Sequence, residues 1–164
     1  MGLSFSLQPV FYVIGILLAI LGGTMLIPAA IDLVAGHSDW SVFVASAMVT
    51  IFLGVLLILT NRGRIAAINV RQGFILTTSS WIALAAFGAL PFVFSGLKMS
   101  VTDGFYESMS GLTTTGATVI VGLDNAPPGI LMWRALLHGL GGIGIVVMAV
   151  LILPFLRVGG QQLF

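Results

Sequence analysis

The chain has no cysteine and little charge: Asp, Glu, Lys and Arg make up 7% of its 164 residues, and there are two His. Without Cys, disulfides and thiolate metal sites are excluded. The few carboxylates are not paired within an apolar run, and the two His have no second ligand at metal-site spacing, which leaves no nucleophile and base pair and no metal cluster. No enzyme and no cofactor are expected. The scarcity of basic residues likewise argues against a nucleic-acid partner. The first eleven residues carry no Lys or Arg, and the apolar sequence runs on well past the core of a signal peptide, so no cleaved signal is expected. A soluble domain carries about 25% charged residues. Here 59% of the residues are hydrophobic instead, and the class is an integral membrane protein in a lipid bilayer.

Four runs are long enough to cross a bilayer, which needs about 20 mainly apolar residues. They extend from about Val10 to Val34, Trp40 to Leu59, Gly73 to Phe94 and Ile130 to Leu156. In lipid each must be a helix, since the backbone polar groups have to be satisfied within the segment. Pro28, Pro91 and Pro154 read as kinks or ends. Arg62, Arg64 and Arg71 cluster between the second and third runs and Arg157 follows the fourth, whereas Asp39, Lys98, Asp103, Glu107 and Asp124 lie at the other ends. The positive-inside rule puts the 62–71 linker and both termini in the cytoplasm. Arg134, just inside the outer end of the fourth run, departs from that rule. It either snorkels outward or pairs with Asp103, Glu107 or Asp124.

The polar stretch DGFYESMSGLTTTGATVIVGLDN, Asp103 to Asn125, interrupts this pattern. Phe105, Met109 and Leu112 recur at helical spacing, with Thr102 or Asp103 as the cap, and predict a short helix. Thr113 to Thr118, TTTGAT, has no helical period and reads as extended backbone. The stretch is either an outer loop or a segment that dips into the membrane. In the second case the carbonyl end of the short helix points at the membrane centre and favours a cation. Asp103 and Glu107 then serve the outer mouth or pair structurally with Arg134.

Gly139 to Gly144, GLGGIG, matches a dinucleotide-binding pattern, but it sits inside an apolar run and follows no strand. Close helix packing is the expected role of Gly139, Gly141, Gly142 and Gly144, and of Gly15, Gly22 and Gly23 in the first run. His138, among small residues, reads as a packing or hydrogen-bonding side chain.

ESMSGLTTTGATV followed by WRALLHGLGGIGIVVMAVLILPFL resembles the first pore repeat of the Trk/Ktr superfamily of potassium transporters, in its TrkH/TrkG branch. The resemblance covers essentially the whole chain. It implies an all-α membrane protein with a potassium-channel-like fold: an N-terminal helix pair (1–60), a basic linker (61–72) and one pore repeat (73–164). That repeat would comprise an outer helix (73–96), a pore helix (103–112), a filter (113–118) and an inner helix (130–157). It further implies a filter of backbone carbonyls from Thr114, Thr115, Gly116 and Ala117, flanked by Thr113 and Thr118, with K⁺ held at Thr114, Thr115 and Gly116. Gly116 is singled out because Gly takes backbone conformations closed to other residues. The family has four such repeats around one pore, so this chain resembles the N-terminal portion of a longer protein or a truncated product. The implied partners are the remaining repeats, a homodimer mate and a cytosolic nucleotide-binding regulatory subunit. The implied function is potassium uptake across the plasma membrane, with a non-conducting assembly module as the alternative.

Overall fold

Apolar runs of this length satisfy their own backbone only by coiling, and they do so here. The computed structural model describes residues 6–63 and 68–158. Arg64 of the basic linker, residues 159–164 and the side chain of Arg157 lie outside what is described. The elements are α1 (Gln8–Thr24), α2 (Leu26–Val34), α3 (Trp40–Thr60), α4 (Val70–Gly88), α5 (Leu90–Phe94), α6 (Val101–Leu112), a 3₁₀ turn at Leu123–Asn125 and α7 (Pro128–Val158). Among the described residues, four stretches are long and apolar enough to cross a membrane: Gln8–Val34, Trp40–Thr60, Val70–Phe94 and Pro128–Val150.

The first and third expected spans are each broken once, and proline explains both breaks. Pro28 has no N–H to offer the carbonyl four residues back, and the helix is interrupted at Met25 between α1 and α2. Pro91 does the same at Ala89, between α4 and α5. Because the Phe92 N–H bonds to the Ala89 carbonyl instead of one residue further back, the Gly88 carbonyl is left for another partner. The start of α4 also lies earlier than Gly73. Asn69 accepts from the Gln72 N–H at 2.9 Å while the Gln72 side chain accepts from the Asn69 N–H at 3.0 Å, a reciprocal cap that begins the helix at Val70.

Within the N-terminal pair, α1 lies directly on α3. Backbone meets backbone there: a Cβ on Gly15 would sit 2.7 Å from the Gly54 carbonyl, and one on Gly54 would sit 2.8 Å from the Gly15 carbonyl. Gly22 makes the same close approach beside Ala47 and Ile51, whereas Gly23, expected to pack as well, meets nothing within 4 Å among the described residues. Gly54 was not singled out from the sequence. The main core joins this pair to the rest of the chain through Met25, Phe43, Phe92, Trp133 and Leu137, all fully buried. Phe43 and Trp133 meet edge to face at 6.3 Å, a favoured aromatic geometry.

Candidate functional site

The site is built on α6. Ser100, not Thr102 or Asp103, caps it: the Ser100 Oγ accepts from the Asp103 N–H at 3.1 Å and donates to the Asp103 carboxylate at 2.7 Å. The helix therefore begins two residues earlier than its hydrophobic period suggests. Its 12 residues reach about 18 Å at 1.5 Å per residue, short of the roughly 30 Å hydrocarbon core. Its last residue, Leu112, meets α7 at Gly141, about 20 Å along that helix from Pro128. The chain then returns alongside α6 as far as Glu107. The polar stretch is thus a re-entrant segment between α5 and α7, and not an outer loop.

The end of α6 is closed by a Schellman motif. The Thr115 N–H donates to the Ser110 carbonyl at 3.0 Å and the Thr114 N–H to the Gly111 carbonyl at 2.9 Å. That motif places Thr114 at the left-handed position normally taken by Gly, with φ of 58°. A β-branched residue there is strained. Gly116 follows at φ 78°, with Thr115 between them on the ordinary side. Thr113–Thr118 is therefore not simple extended strand: its first residues form a turn, and φ alternates in sign over 114–116. Thr113 donates to the Met109 carbonyl at 2.8 Å and shares a hydrogen bond with the Thr115 hydroxyl.

The returning limb is anchored by buried side chains. Glu107, 1% exposed, accepts through Oε2 from the Thr118 hydroxyl and the Val119 N–H, each at 3.0 Å. Its Oε1 accepts from Arg134 Nε at 2.5 Å. Of the three acids open to Arg134, the structure selects Glu107, which joins α6, the returning limb and α7. Asp103 and Asp124 are exposed. The Ser110 hydroxyl donates to the Ala117 carbonyl at 2.6 Å, so that oxygen, counted among the four expected at the filter, is committed to α6. Thr113 to Gly116 and Thr118 are exposed on the other side.

Helix α7 supplies the seat. Trp133 and Arg134 divide the work: the Trp133 indole donates to the Gly88 carbonyl freed by the α4/α5 break, at 3.0 Å, while Arg134 takes Glu107. A Cβ on Gly141 would overlap the backbone of Leu112, and one on Gly142 would lie 3.9 Å from Thr114 Cγ2. Gly139 and Gly144, expected to pack likewise, meet nothing within 4 Å among the described residues. His138 Nδ1 lies 2.8 Å from the Arg134 carbonyl, the hydrogen-bonding role expected of it. Ser110 and Asp32 escaped notice at the sequence level. Asp32 carried a usable signal, as a lone acid inside an apolar span.

The chain matches the family model described as TrkH, cation transport protein, over residues 40–164. It is 42% identical to the Trk system potassium uptake protein TrkH of Escherichia coli (strain K12), over 93% of this chain and 32% of that protein. It is 43% identical to the protein of the same name from Halomonas elongata, over 97% of this chain and 33% of that one. The crystal structure of the potassium transporter TrkH from Vibrio parahaemolyticus superposes with a TM-score of 0.86 and 41% identity, over 95% of this chain and 34% of that one. The chain thus spans about a third of the length of the relatives it matches. With two N-terminal helical spans followed by one helix, re-entrant segment and helix, it belongs to the TrkH family of cation transport proteins.

Proposed function

We propose that this chain supplies one quarter of the selectivity filter of a potassium uptake protein, through the backbone carbonyls of Thr114, Thr115 and Gly116. One observation carries this: φ alternates in sign over 114–116 at the carbonyl end of the short helix α6, and residues 113–116 are exposed. In a regular strand, successive residues face opposite ways. Reversing φ at alternate residues turns alternate peptide planes over, which lets successive carbonyls share one face. A ring of such oxygens replaces the hydration shell of K⁺, and the negative end of the α6 dipole favours a cation at the same place. The relatives, named as potassium uptake proteins, support the choice of ion.

Transport on this reading needs no covalent chemistry. K⁺ sheds water at the outer mouth, passes the carbonyls and enters the cell, the other three filter segments coming from the remaining pore repeats of a longer chain. Ala117 and Thr118 act as the anchored limb of the filter through Ser110 and Glu107, with Thr113 at its inner end. The basic residues Arg62 and Arg71 support a cytoplasmic linker, cytoplasmic termini and a re-entrant segment that enters from outside. The bacterial relatives support the inner membrane as the location. The resemblance adds a homodimer mate and a cytosolic nucleotide-binding regulatory subunit, and the relatives' membership of a named Trk system supports an assembly of more than one component.

The test is K⁺ uptake, with Rb⁺ and Na⁺ as competitors, in uptake-deficient cells that express a four-repeat protein containing this chain. Gly116→Ser is expected to lower the preference for K⁺ over Na⁺, because a side chain at φ 78° is strained. An unchanged K⁺/Na⁺ ratio at equal protein level would remove the filter assignment. The 164-residue chain alone is expected to give no uptake.

A further inference from the structure

Two buried carboxylates near the turn between α2 and α3 have no part in the filter described above. Asp32, in the last turn of α2, is fully buried. Its Oδ1 accepts from the Gly129 N–H at 2.7 Å, in the first turn of α7. Its Oδ2 is equally enclosed and has no hydrogen-bond partner among the described residues. Asp39, the residue before α3, is 6% exposed, and both of its oxygens lie 3.3 Å from the Gly96 N–H, in the loop that joins α5 to α6. The two acids of the N-terminal pair thus hold the chain on both sides of the re-entrant segment, Asp39 just before it and Asp32 just after it.

Anchoring in lipid does not require them. Apolar side chains of similar volume would fill both places without the desolvation of a carboxylate, at the cost of leaving the Gly129 and Gly96 N–H groups without this acceptor. What an apolar residue cannot do is fix a backbone N–H in direction and distance. The fit at α7 is close, since a Cβ on Gly129 would overlap the Asp32 carboxylate. The positive end of the α7 dipole and the Gly129 N–H together favour a negative group there.

We infer that the N-terminal helix pair is a brace for the pore mouth, and that Asp32 and Asp39 are positioning residues for ion selectivity. Asp32 sets the start of α7, whose Arg134 holds Glu107 and, through it, Thr118 and Val119. Asp39 sets the loop from which α6 departs at Ser100. The inference rests on the filter assignment made above. It gives a role to two helices that contribute no residue to the 113–118 segment.

The experiment uses the complete four-repeat protein in uptake-deficient cells and reads the Na⁺ concentration that halves Rb⁺ uptake. Asp32→Leu keeps the volume and removes the acceptor, and it is expected to lower that concentration by about fivefold or more, as befits a lost hydrogen bond to a charged group. Asp32→Asn keeps an oxygen for Gly129 and is expected to stay within about twofold of the parent. Asp39→Leu is expected to act in the same direction as Asp32→Leu, and Gly116→Ser serves as the filter control. Parental Na⁺ competition in both Leu variants, with Gly116→Ser impaired, overturns the brace and spares the filter. Parental competition in Gly116→Ser overturns the filter itself. If Asp32→Leu does not reach the membrane, Asp39→Leu decides; absence of both marks a folding role and also overturns the inference.

Discussion

Glu107 and Arg134 form an ion pair with a buried carboxylate and a part-buried guanidinium, and its second carboxylate oxygen carries the returning limb of the re-entrant segment at Thr118 and Val119. The pair therefore does more than neutralise two charges. It transmits the position of α7 to a backbone that has no regular structure of its own.

Breaking it from one side should be worse than removing it whole. Glu107→Gln leaves the Arg134 guanidinium, 14% exposed, without its counter-charge, a loss of about 3–5 kcal/mol for a buried pair. Glu107→Gln with Arg134→Gln removes the orphan charge and is expected to recover part of that loss. Thermal unfolding of the detergent-solubilised four-repeat protein checks this, and a double variant as unstable as the sum of the two single changes would refute the coupling.

Gly141 and Gly139 provide a matched pair. Gly141→Ala drives a methyl group into the backbone of Leu112, the residue that ends α6, whereas Gly139→Ala enters open space. The first is expected to cost about 1–3 kcal/mol, as overpacking does, and to weaken Na⁺ exclusion. The second should change stability by less than about 0.5 kcal/mol. Equal effects in the two variants would mean that α6 is not seated on Gly141 as described.

Thr114 holds a left-handed conformation without being Gly. Thr114→Gly should relieve strain of roughly 1–3 kcal/mol, partly offset by the greater freedom of Gly in the unfolded chain. The expected outcome is a protein at least as stable as the parent but less selective, because the loop gains alternatives. A rise in both stability and selectivity in the uptake and unfolding assays would contradict it.

Gly54 separates packing from selectivity. Gly54→Leu forces α1 and α3 apart, since even a Cβ would stand 2.8 Å from the Gly15 carbonyl. A drop of about 1–3 kcal/mol in stability is expected, with Na⁺ competition unchanged in the protein that reaches the membrane, because this contact lies about 20 Å along α3 from the Asp39 end that braces the pore mouth. A selectivity change without a stability change would mean that the brace depends on this contact as well.

The spans were legible because lipid leaves an apolar run no alternative to a helix. Their breaks were legible at Pro28 and Pro91, since a missing N–H has a local consequence. The start of α6 was misplaced because hydrophobic period marks the buried face and not the cap, and Ser100 lies outside the periodic residues. The acid that meets Arg134 was open among three candidates, because one helical turn between Asp103 and Glu107 is resolved only by where α6 lies against α7. Thr113–Thr118 reads as extended because it has no helical period; the Schellman hydrogen bonds instead turn the chain at Thr114, at a positive φ that β-branched residues avoid. Asp32 stands out as an acid in an apolar span, but its partner does not: Gly129 is 97 residues away, and no local pattern encodes such a distance.

The 113–118 backbone is held by Glu107, Ser110, the Ser110 and Gly111 carbonyls and the Gly141 seat, all on α6 and α7. A loop with supports so close in sequence can acquire its shape as soon as α6 and α7 meet, because local contacts cost little loop-closure entropy.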